Sequence, residues 1–382
     1  MLIFFLIVLT IYSLTNLYLY FKGYNALESL RENRFLYALV FFLLSAVFIV
    51  AKFLEAKHSS VITDALNIIG GFWMAFMLYG FIFFLLSDIT LLVLRITGAV
   101  DPAGAAIFRK WAFITTVGVS VILITAGFIN AVFPVTKEYN ITINKSAGEV
   151  KTLKVAAVSD IHLGSIIRKR SIRVLSAMLA EIKPDVIFLL GDIVDGEMGP
   201  VLRSDLLKYF TYPPSTNGLF AVTGNHEFIG GGERTIPYIE SKGIRVLKDE
   251  VVTLKGGIQL IGRIDRDSRR FYGQHRLPLS SLVEKTDSSK PLILLDHQPF
   301  QLDETASNGI DLQLSGHTHN GQMWPINHIT DMIFELGYGY LKKGNSHIIV
   351  SSGYGLWGPR VRLGSRSEVL VINLTFNGEV HE

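Results

Sequence analysis

The sequence predicts two domains of different classes, an N-terminal α-helical transmembrane bundle and a C-terminal layered α/β sandwich. Only 14 of the 69 Asp, Glu, Lys and Arg residues lie before Pro134, so an apolar third precedes an ordinary globular remainder. In that remainder, strand-like and helix-like segments alternate, which is typical of layered α/β domains. We therefore divide the chain into a helical domain (1–133), a polar linker (134–150) and a globular domain (151–382).

Composition excludes several classes of function. The chain contains no cysteine, which rules out disulfides, thiolate catalysis and cysteine-ligated zinc or iron–sulfur sites. The net charge of +3 is too small to indicate nucleic-acid binding, so no nucleic-acid partner is expected. Composition leaves the oligomeric state open.

Four apolar runs occupy the N-terminal third, and each has the roughly 20 residues that a helix needs to cross a bilayer. They are Leu2 to Phe21, Phe35 to Phe53, Leu66 to Leu86 and Trp111 to Phe133. The first run has no basic segment before it and no small-residue cleavage site after it, so we predict a span and not a cleaved signal peptide. Short polar loops join the runs, which favours membrane helices over buried core helices.

The third run leaves the number of spans open between four and five. Asp88 and Arg95 interrupt a further apolar stretch, Ile89 to Ile96, which fits either a long tilted helix or an additional interfacial helix. The two charged residues either pair within the bundle or lie at the level of the lipid headgroups. With four spans, loops one and three share a side and hold six Lys and Arg residues against two in loop two. This asymmetry predicts an extracytoplasmic globular domain, with the bilayer as a partner.

Five predicted strands of the globular domain end in polar residues, in the segments "VSDIHLG", "LLGDIVD", "VTGNHE", "LLDHQP" and "LSGHTH". Ligand sites in open α/β sheets form beyond the carboxyl ends of the strands, so these ends are expected to converge. Mixed oxygen and imidazole donors suit Mn, Fe or Zn, and two such ions can clamp the reacting oxygens in phosphoryl chemistry. Each motif alone is more often a turn, an N-cap or a loop, but all five in this order indicate a metal site. The polar residues are Asp160, His162, Asp192, Asn225, His226, His297, His317 and His319.

The motifs "DIH", "GDIVD", "GNHE", "DHQP" and "GHTH" resemble the calcineurin-like metallophosphoesterase superfamily, over roughly Leu153 to Phe376. "GHTHNGQ" and "SSGYGLWGPRVRLGSRSEV" are further similar to a bacterial membrane-attached or exported subgroup, which includes YkuE-type proteins and one type of UDP-diacylglucosamine pyrophosphohydrolase. That subgroup usually has a glycine where this chain has Asn320. The resemblance implies a metallophosphoesterase fold, an α/β sandwich of two mixed sheets flanked by helices, and the helical domain lies outside it. The apolar runs together with the bacterial subgroup predict an integral protein of the bacterial inner membrane.

The resemblance also implies a role for each motif residue. Asp192 would bridge two metal ions, and a hydroxide between them, its pKa lowered by metal charge, would be the nucleophile. His226 would act beside Asn225 and Asp192 by stabilising the transition state and protonating the leaving oxygen; its alternative role is packing. Asp195 and Glu227 would orient ligand histidines, or are solvated carboxylates. The implied ligands are Asp160, His162 and His319 for the first metal and Asn225, His297 and His317 for the second.

The sequence leaves the substrate open. Arginine suits phosphate oxygens, although a run of charges is more often a solvated face. The leading hypothesis is a membrane-anchored hydrolase of a phosphomonoester, phosphodiester or pyrophosphate bond in a lipid or lipid-linked substrate. The alternatives are a soluble nucleotide or sugar phosphodiester, and a non-catalytic receptor or scaffold, which the complete ligand set disfavours. The candidate substrate-binding residues are Arg263, Arg266, Arg360 and Arg362.

Overall fold

The computed structural model describes residues 2–213 and 217–378, and the chain divides into two compact units. A helical unit contains Met1–Phe128 and Gly358–Val361, and an α/β unit contains Ile129–Trp357 and Arg362–Glu382. The ends of the predicted domains, at residue 1 and residues 379–382, lie outside the described residues. The grouping of residues 358–361 with the helical unit has no counterpart in the sequence prediction.

The helical unit consists of four long helices and one short helix. Among the described residues, the second, third and fourth long helices are long and apolar enough to span a membrane, by length and composition. The first predicted run lies within the first long helix, and the total of four spans stays a prediction. The helices are α1 (Leu2–Ala26), α2 (Glu28–Glu32), α3 (Arg34–Lys57), α4 (Val61–Ile96) and α5 (Pro102–Val132).

Helix α4 is a single helix of 36 residues that contains both the third apolar run and the Ile89 to Ile96 stretch. The long helix is therefore the alternative that the structure shows. Ser60 begins it with a capping box, since its Oγ accepts from the backbone N–H of Thr63 at 3.2 Å. The suggested pair of Asp88 with Arg95 does not form, because seven residues along a helix separate them by about 10 Å. Asp88 instead forms an ion pair with Lys22 of α1.

The α/β unit contains two six-stranded mixed sheets whose facing side chains form one buried core. The first sheet has the order β1-β12-β2-β3-β4-β5 and the second has the order β10-β11-β9-β8-β7-β6. The strands are β1 (Val135–Ile143), β2 (Thr152–Val158), β3 (Val186–Leu189), β4 (Leu219–Val222), β5 (Arg245–Leu247), β6 (Glu250–Thr253), β7 (Gln259–Gly262), β8 (Leu292–Leu295), β9 (Leu312–Ser315), β10 (Gly339–Lys343), β11 (Ser346–Val350) and β12 (Glu368–Phe376).

The central strands are buried on both faces and therefore read as continuous apolar runs in the sequence. Val155 of β2, Phe188 of β3 and Leu295 of β8 are fully buried in the shared core. Eight α-helices accompany the sheets among the described residues, which confirms the predicted α/β architecture. They are α6 (Lys169–Ile182), α7 (Met198–Ser204), α8 (Asn225–Ile229), α9 (Gly232–Glu240), α10 (Ser268–Tyr272), α11 (Leu279–Val283), α12 (Leu302–Ser307) and α13 (Ile326–Ile333).

The segment that was predicted as a linker, residues 134–150, contains strand β1. β1 pairs in parallel with β12 along its whole length, from Val135 opposite Glu368 to Ile143 opposite Phe376. The segment was predicted as a linker because it is polar. An edge strand exposes one face to water and buries only alternate residues, so it can contain many polar residues. The buried residues near its end, Ile141 and Ile143, join the core.

Candidate metal centre

The five polar motifs meet at one end of the two sheets. β2, β3 and β4 are parallel neighbours in the first sheet, and β8 and β9 are parallel neighbours in the second. Each motif directly follows one of these strands, so their side chains come together at the carboxyl ends, as the strand pattern predicted.

The first candidate metal group consists of Asp160, His162 and His319, which offer ligand atoms within 4.8 Å of one another. His162 Nε2 is 3.1 Å from His319 Nε2, and His319 Nε2 is 3.5 Å from Asp160 Oδ1. Two nitrogens that bind one tetrahedral ion at about 2.1 Å lie about 3.4 Å apart. The three buried side chains are therefore spaced as the ligands of a single ion would be.

The second candidate metal group consists of Asp192, His297 and His317, again within 4.8 Å of one another. Asn225 extends this group, since its Oδ1 is 3.0 Å from His317 Nδ1. Asp192 Oδ2 is 3.2 Å from His297 Nε2 and also 3.7 Å from His162 Nε2 of the first group. Asp192 thus lies between the two groups, in the position that the resemblance assigns to a bridging ligand.

The hydrogen bonds of two histidines leave one nitrogen of each ring for a metal ion. His297 Nδ1 donates to the carbonyl oxygen of Leu190 at 2.7 Å, and His162 Nδ1 is 3.2 Å from Asp195 Oδ1. Such contacts hold the proton on Nδ1 and direct the lone pair of Nε2 into the site. His297 Nε2 is buried and makes no well-aligned hydrogen bond, although Asp192 Oδ2 is 3.2 Å from it. The donor set and this buried nitrogen both fit a metal ion, and the mixture of oxygen and imidazole suits Mn, Fe or Zn.

His226 and two carboxylates surround these ligands. The His226 ring is edge-on to the His162 ring at 4.5 Å, and its Nδ1 is 3.4 Å from Asp195 Oδ1. Asp195 therefore contacts both histidines. Glu227 orients a loop and not a histidine, because its carboxylate accepts from the backbone N–H groups of Gly224 and of the turn at residues 192–194.

Five candidate ligand residues have a positive φ, between 50° and 71°. This left-handed conformation costs an ordinary residue roughly 1–2 kcal/mol and is concentrated at functional sites, where the surrounding structure enforces it. One compensating contact is the backbone N–H of His317, which donates to both carboxylate oxygens of Asp160 at 3.1 and 3.0 Å. The five residues are Asp160, His162, Asp192, His317 and His319.

Burial and close charges shift the pKa values of the site in opposite directions. Burial and the charge of His297 lower the pKa of His317 to about 3, so its imidazole is neutral at physiological pH. Burial disfavours the charged forms of both Asp192 and His297. Their mutual attraction nevertheless lowers the pKa of the Asp192 carboxyl and raises the pKa of the His297 imidazole. Burial and the nearby Asp192 raise the pKa of Glu227 to about 7.

The four candidate substrate arginines lie in different surroundings. Arg263 is 5% exposed, and its Nη2 donates to the carbonyl oxygen of Leu277 at 2.6 Å. Arg360 belongs to the helical unit, where its guanidinium is 5.7 Å from the ring centroid of Phe128. Arg266 is half-buried, with its guanidinium 5.0 Å from the ring centroid of Phe300.

Arg362 is fully buried and supports the first metal group. Its Nη2 donates to the carbonyl oxygens of Gly353 and Gly355 and lies 3.2 Å from His319 Nδ1. The backbone N–H of Gly355 in turn donates to the carbonyl oxygen of Asp160 at 2.7 Å. These contacts favour a role for Arg362 in positioning His319 over contact with a substrate. Nothing in the arginine-rich sequence around Arg362 indicated this positioning role.

Known proteins are similar to this chain. Residues 153–321 match the calcineurin-like phosphoesterase family. An Aquifex aeolicus protein named an uncharacterized metallophosphoesterase is 32% identical over 228 residues, which cover 59% of this chain and 86% of that protein. The chain belongs to this family, a class of metal-dependent phosphoesterases, and the predicted superfamily and fold are confirmed.

Two further similarities extend into the helical part of the chain. A Campylobacter jejuni protein, also named an uncharacterized metallophosphoesterase, is 27% identical over 381 residues, or 98% of each chain. A Danio rerio protein named a transmembrane protein with metallophosphoesterase domain is 27% identical over 316 residues, or 80% of this chain and 71% of that one. With α3, α4 and α5, they indicate a membrane protein. The chain spans 60% of the length of two other bacterial relatives that it matches.

Proposed function

We propose that this protein is a membrane-attached hydrolase that cleaves a phosphoester or pyrophosphate bond at a centre of two metal ions. The position of Asp192 carries the proposal, because its Oδ2 lies close to His162 Nε2 of one group and His297 Nε2 of the other. Mn, Fe and Zn all suit the ligands, and when bound, two such ions would stabilise phosphoryl charge and activate water.

The protein's own residues would position the substrate and transfer a proton. His226 Nδ1 faces Asp195, which leaves Nε2 as the nitrogen that can protonate a leaving oxygen. The His226 side chain is 13% exposed, so it can meet a substrate at the mouth of the site. Arg266 is the arginine best placed to bind a second phosphate or headgroup charge. The Phe300 ring beneath it contacts the tilted ring of Phe334, whose centroid is 6.1 Å from that of His317.

A lipid or lipid-linked phosphoester is the substrate class that we propose. The chain leaves only two residues between the end of α5 at Val132 and the start of β1 at Val135, so the α/β unit is tied closely to an apolar segment. The resemblance to YkuE-type proteins and a UDP-diacylglucosamine pyrophosphohydrolase points to the same class. The excess of Lys and Arg in loops one and three supports an extracytoplasmic site in a bacterial inner membrane. Protease digestion of intact cells would test that side of the proposal, since the α/β unit should be cleaved.

The metal centre is tested by Asp192→Ala in the purified full-length protein, with Asp303→Ala as the control. Asp303 is an exposed carboxylate outside both ligand groups. We expect Asp192→Ala to lose bound metal and to cleave bis(p-nitrophenyl) phosphate at least about 100-fold more slowly, whereas the control retains both properties. Equal metal content and rate in the two variants would refute the two-metal centre.

The substrate class is tested by comparing wild type with His226→Ala on membrane lipids and on soluble nucleotide and sugar phosphodiesters. Cleavage of a lipid phosphoester by wild type but not by His226→Ala is the expected result. Cleavage of soluble diesters alone, at a rate unaffected by removal of residues 1–133, would replace the lipid with a soluble substrate and leave the metal centre intact.

A further inference from the structure

A cavity of about 270 Å³ lies inside the helical unit, between the end of α1, the second half of α4 and the first half of α5. Its wall is mostly aromatic and aliphatic, with a few polar side chains, which is the usual composition of a ligand pocket. The apolar runs end at Phe21 and Leu86 and begin again at Trp111. The cavity therefore lies where the hydrocarbon layer gives way to lipid headgroups.

Two cations and one anion line this cavity. Lys22 forms an ion pair with Asp88, and Tyr18 Oη donates to Asp88 Oδ2 at 2.7 Å. This carboxylate is therefore already satisfied by neighbouring side chains. Arg109 is half-buried in the wall and forms no ion pair or side-chain hydrogen bond with any residue in 2–213 or 217–378.

Within the part of the chain that the structure describes, the wall therefore carries one positive charge without a protein partner. A basic side chain at the headgroup level that has no protein partner can bind an anionic lipid group. The guanidinium group of Arg109 matches the oxygens of a phosphate, and the apolar wall matches the glycerol and acyl part of a lipid. Basic pockets between membrane helices are suited to anionic headgroups.

Other basic residues lie in the loops at the same end of the bundle. Besides Lys22 and Arg109, the predicted loops one and three contain Arg31, Arg34, Arg95 and Lys110. Basic residues attract an anionic membrane surface, so the region around the cavity favours negatively charged lipids.

We propose that this cavity is a binding site for the phosphate headgroup of an anionic phospholipid, with Arg109 as its principal contact. The site lies wholly within the helical unit and is distinct from the metal centre, so it does not depend on the proposed hydrolysis. A free phosphate ion shares the headgroup's chemistry, but the apolar wall favours the lipid.

The experiment uses delipidated full-length protein that carries Asp192→Ala, so that lipid turnover at the metal centre is suppressed. Native mass spectrometry would measure binding of phosphatidylglycerol, phosphatidylcholine and inorganic phosphate. We expect phosphatidylglycerol to bind more tightly than phosphatidylcholine, and Arg109→Ala to weaken it at least about ten-fold. Lys110→Ala is the matched control, because it removes an equal charge from the next, exposed residue.

Arg109→Lys keeps the charge and is expected to retain most of the binding, which guards against loss of folding in the alanine variant. Equal losses in Arg109→Ala and Lys110→Ala would overturn the proposal in favour of a diffuse surface charge effect. Equal binding of the two lipids, or inorganic phosphate that competes as strongly as phosphatidylglycerol, would also overturn it.

Discussion

Individual residues of the site combine unusual backbone conformations with close charge partners. Asn320 illustrates the first property, because it has φ 49° and ψ 42° in a turn where the resembling subgroup usually has glycine. Asparagine tolerates the left-handed conformation better than other residues with a side chain. Its Nδ2 also donates to the carbonyl oxygen of Gly364 at 3.2 Å. The replacement of glycine is thus conservative in conformation, and nothing in it requires a different substrate.

Asn320→Val is expected to lower the free energy of unfolding by about 1–2 kcal/mol, because a β-branched residue is strained at this φ. Asn320→Gly is the control and should stay within about 1 kcal/mol of wild type. Thermal unfolding in detergent measures both effects. A valine variant as stable as wild type would show that the turn relaxes out of the left-handed region.

His297 illustrates the second property and predicts a pH dependence. In the metal-free protein burial disfavours the charged ring, but the attraction of Asp192 and Asp160 raises its pKa well above the usual value. A metal ion must then displace a proton, so Mn affinity should rise as pH increases from about 6 to about 8. Calorimetry in two buffers of different ionisation enthalpy measures this proton release. The proposed linkage fails if affinity and proton release do not change with pH.

At the scale of elements, the centre depends on short turns that follow parallel strands. The turn after β3 contains Gly191, which has φ 91°. A Cβ atom there would lie 2.7 Å from both the backbone N of Gly224 and Nδ1 of His297. This turn therefore brings the first sheet's loop against a histidine from the second sheet, and only glycine fits.

Gly191→Ala should weaken metal binding by about 10-fold to 100-fold, because it displaces His297 and the start of α8. Gly243→Ala is a matched control: it also has a positive φ, 79°, but its Cβ would meet no atom within 4 Å. The control should lower the free energy of unfolding by only about 1 kcal/mol, because of its positive φ, and should bind metal normally. Similar metal affinities in the two variants would contradict this account of the turn.

At the scale of the whole molecule, the α/β unit includes strand β1, which lies before the predicted domain start at residue 151. β1 covers the edge of β12, and its Ile141 and Ile143 are 4% and 3% exposed. A chain that begins at residue 151, the predicted domain start, would lack this strand. It would also expose the backbone of β12 as an unpaired edge, which promotes aggregation.

A chain of residues 134–382 should therefore be more stable than a chain of residues 151–382 by about 3–6 kcal/mol, the contribution of two buried isoleucines. Urea unfolding measures the difference, and light scattering reports aggregation of the shorter chain. Equal unfolding midpoints would mean that β1 contributes little to the fold.

The sequence by itself determined the apolar character of the helices, the apolar strands and the polar residues that follow them. These signals are local, since a hydrophobic run or a motif such as "GHTH" is readable within about ten residues. The helical spacing of Ile172, Leu175 and Leu179 is also a local signal, and α6 buries these three side chains.

Only the tertiary structure decided which distant residues meet. His162 and His319 approach to 3.1 Å although 157 positions separate them. The same packing buries Arg362 beside His319, adds β1 to a sheet and places Arg109 in the wall of a cavity. The physical reason is that contacts between strands and between helices depend on the packing of whole surfaces. Such packing leaves no local pattern in the sequence.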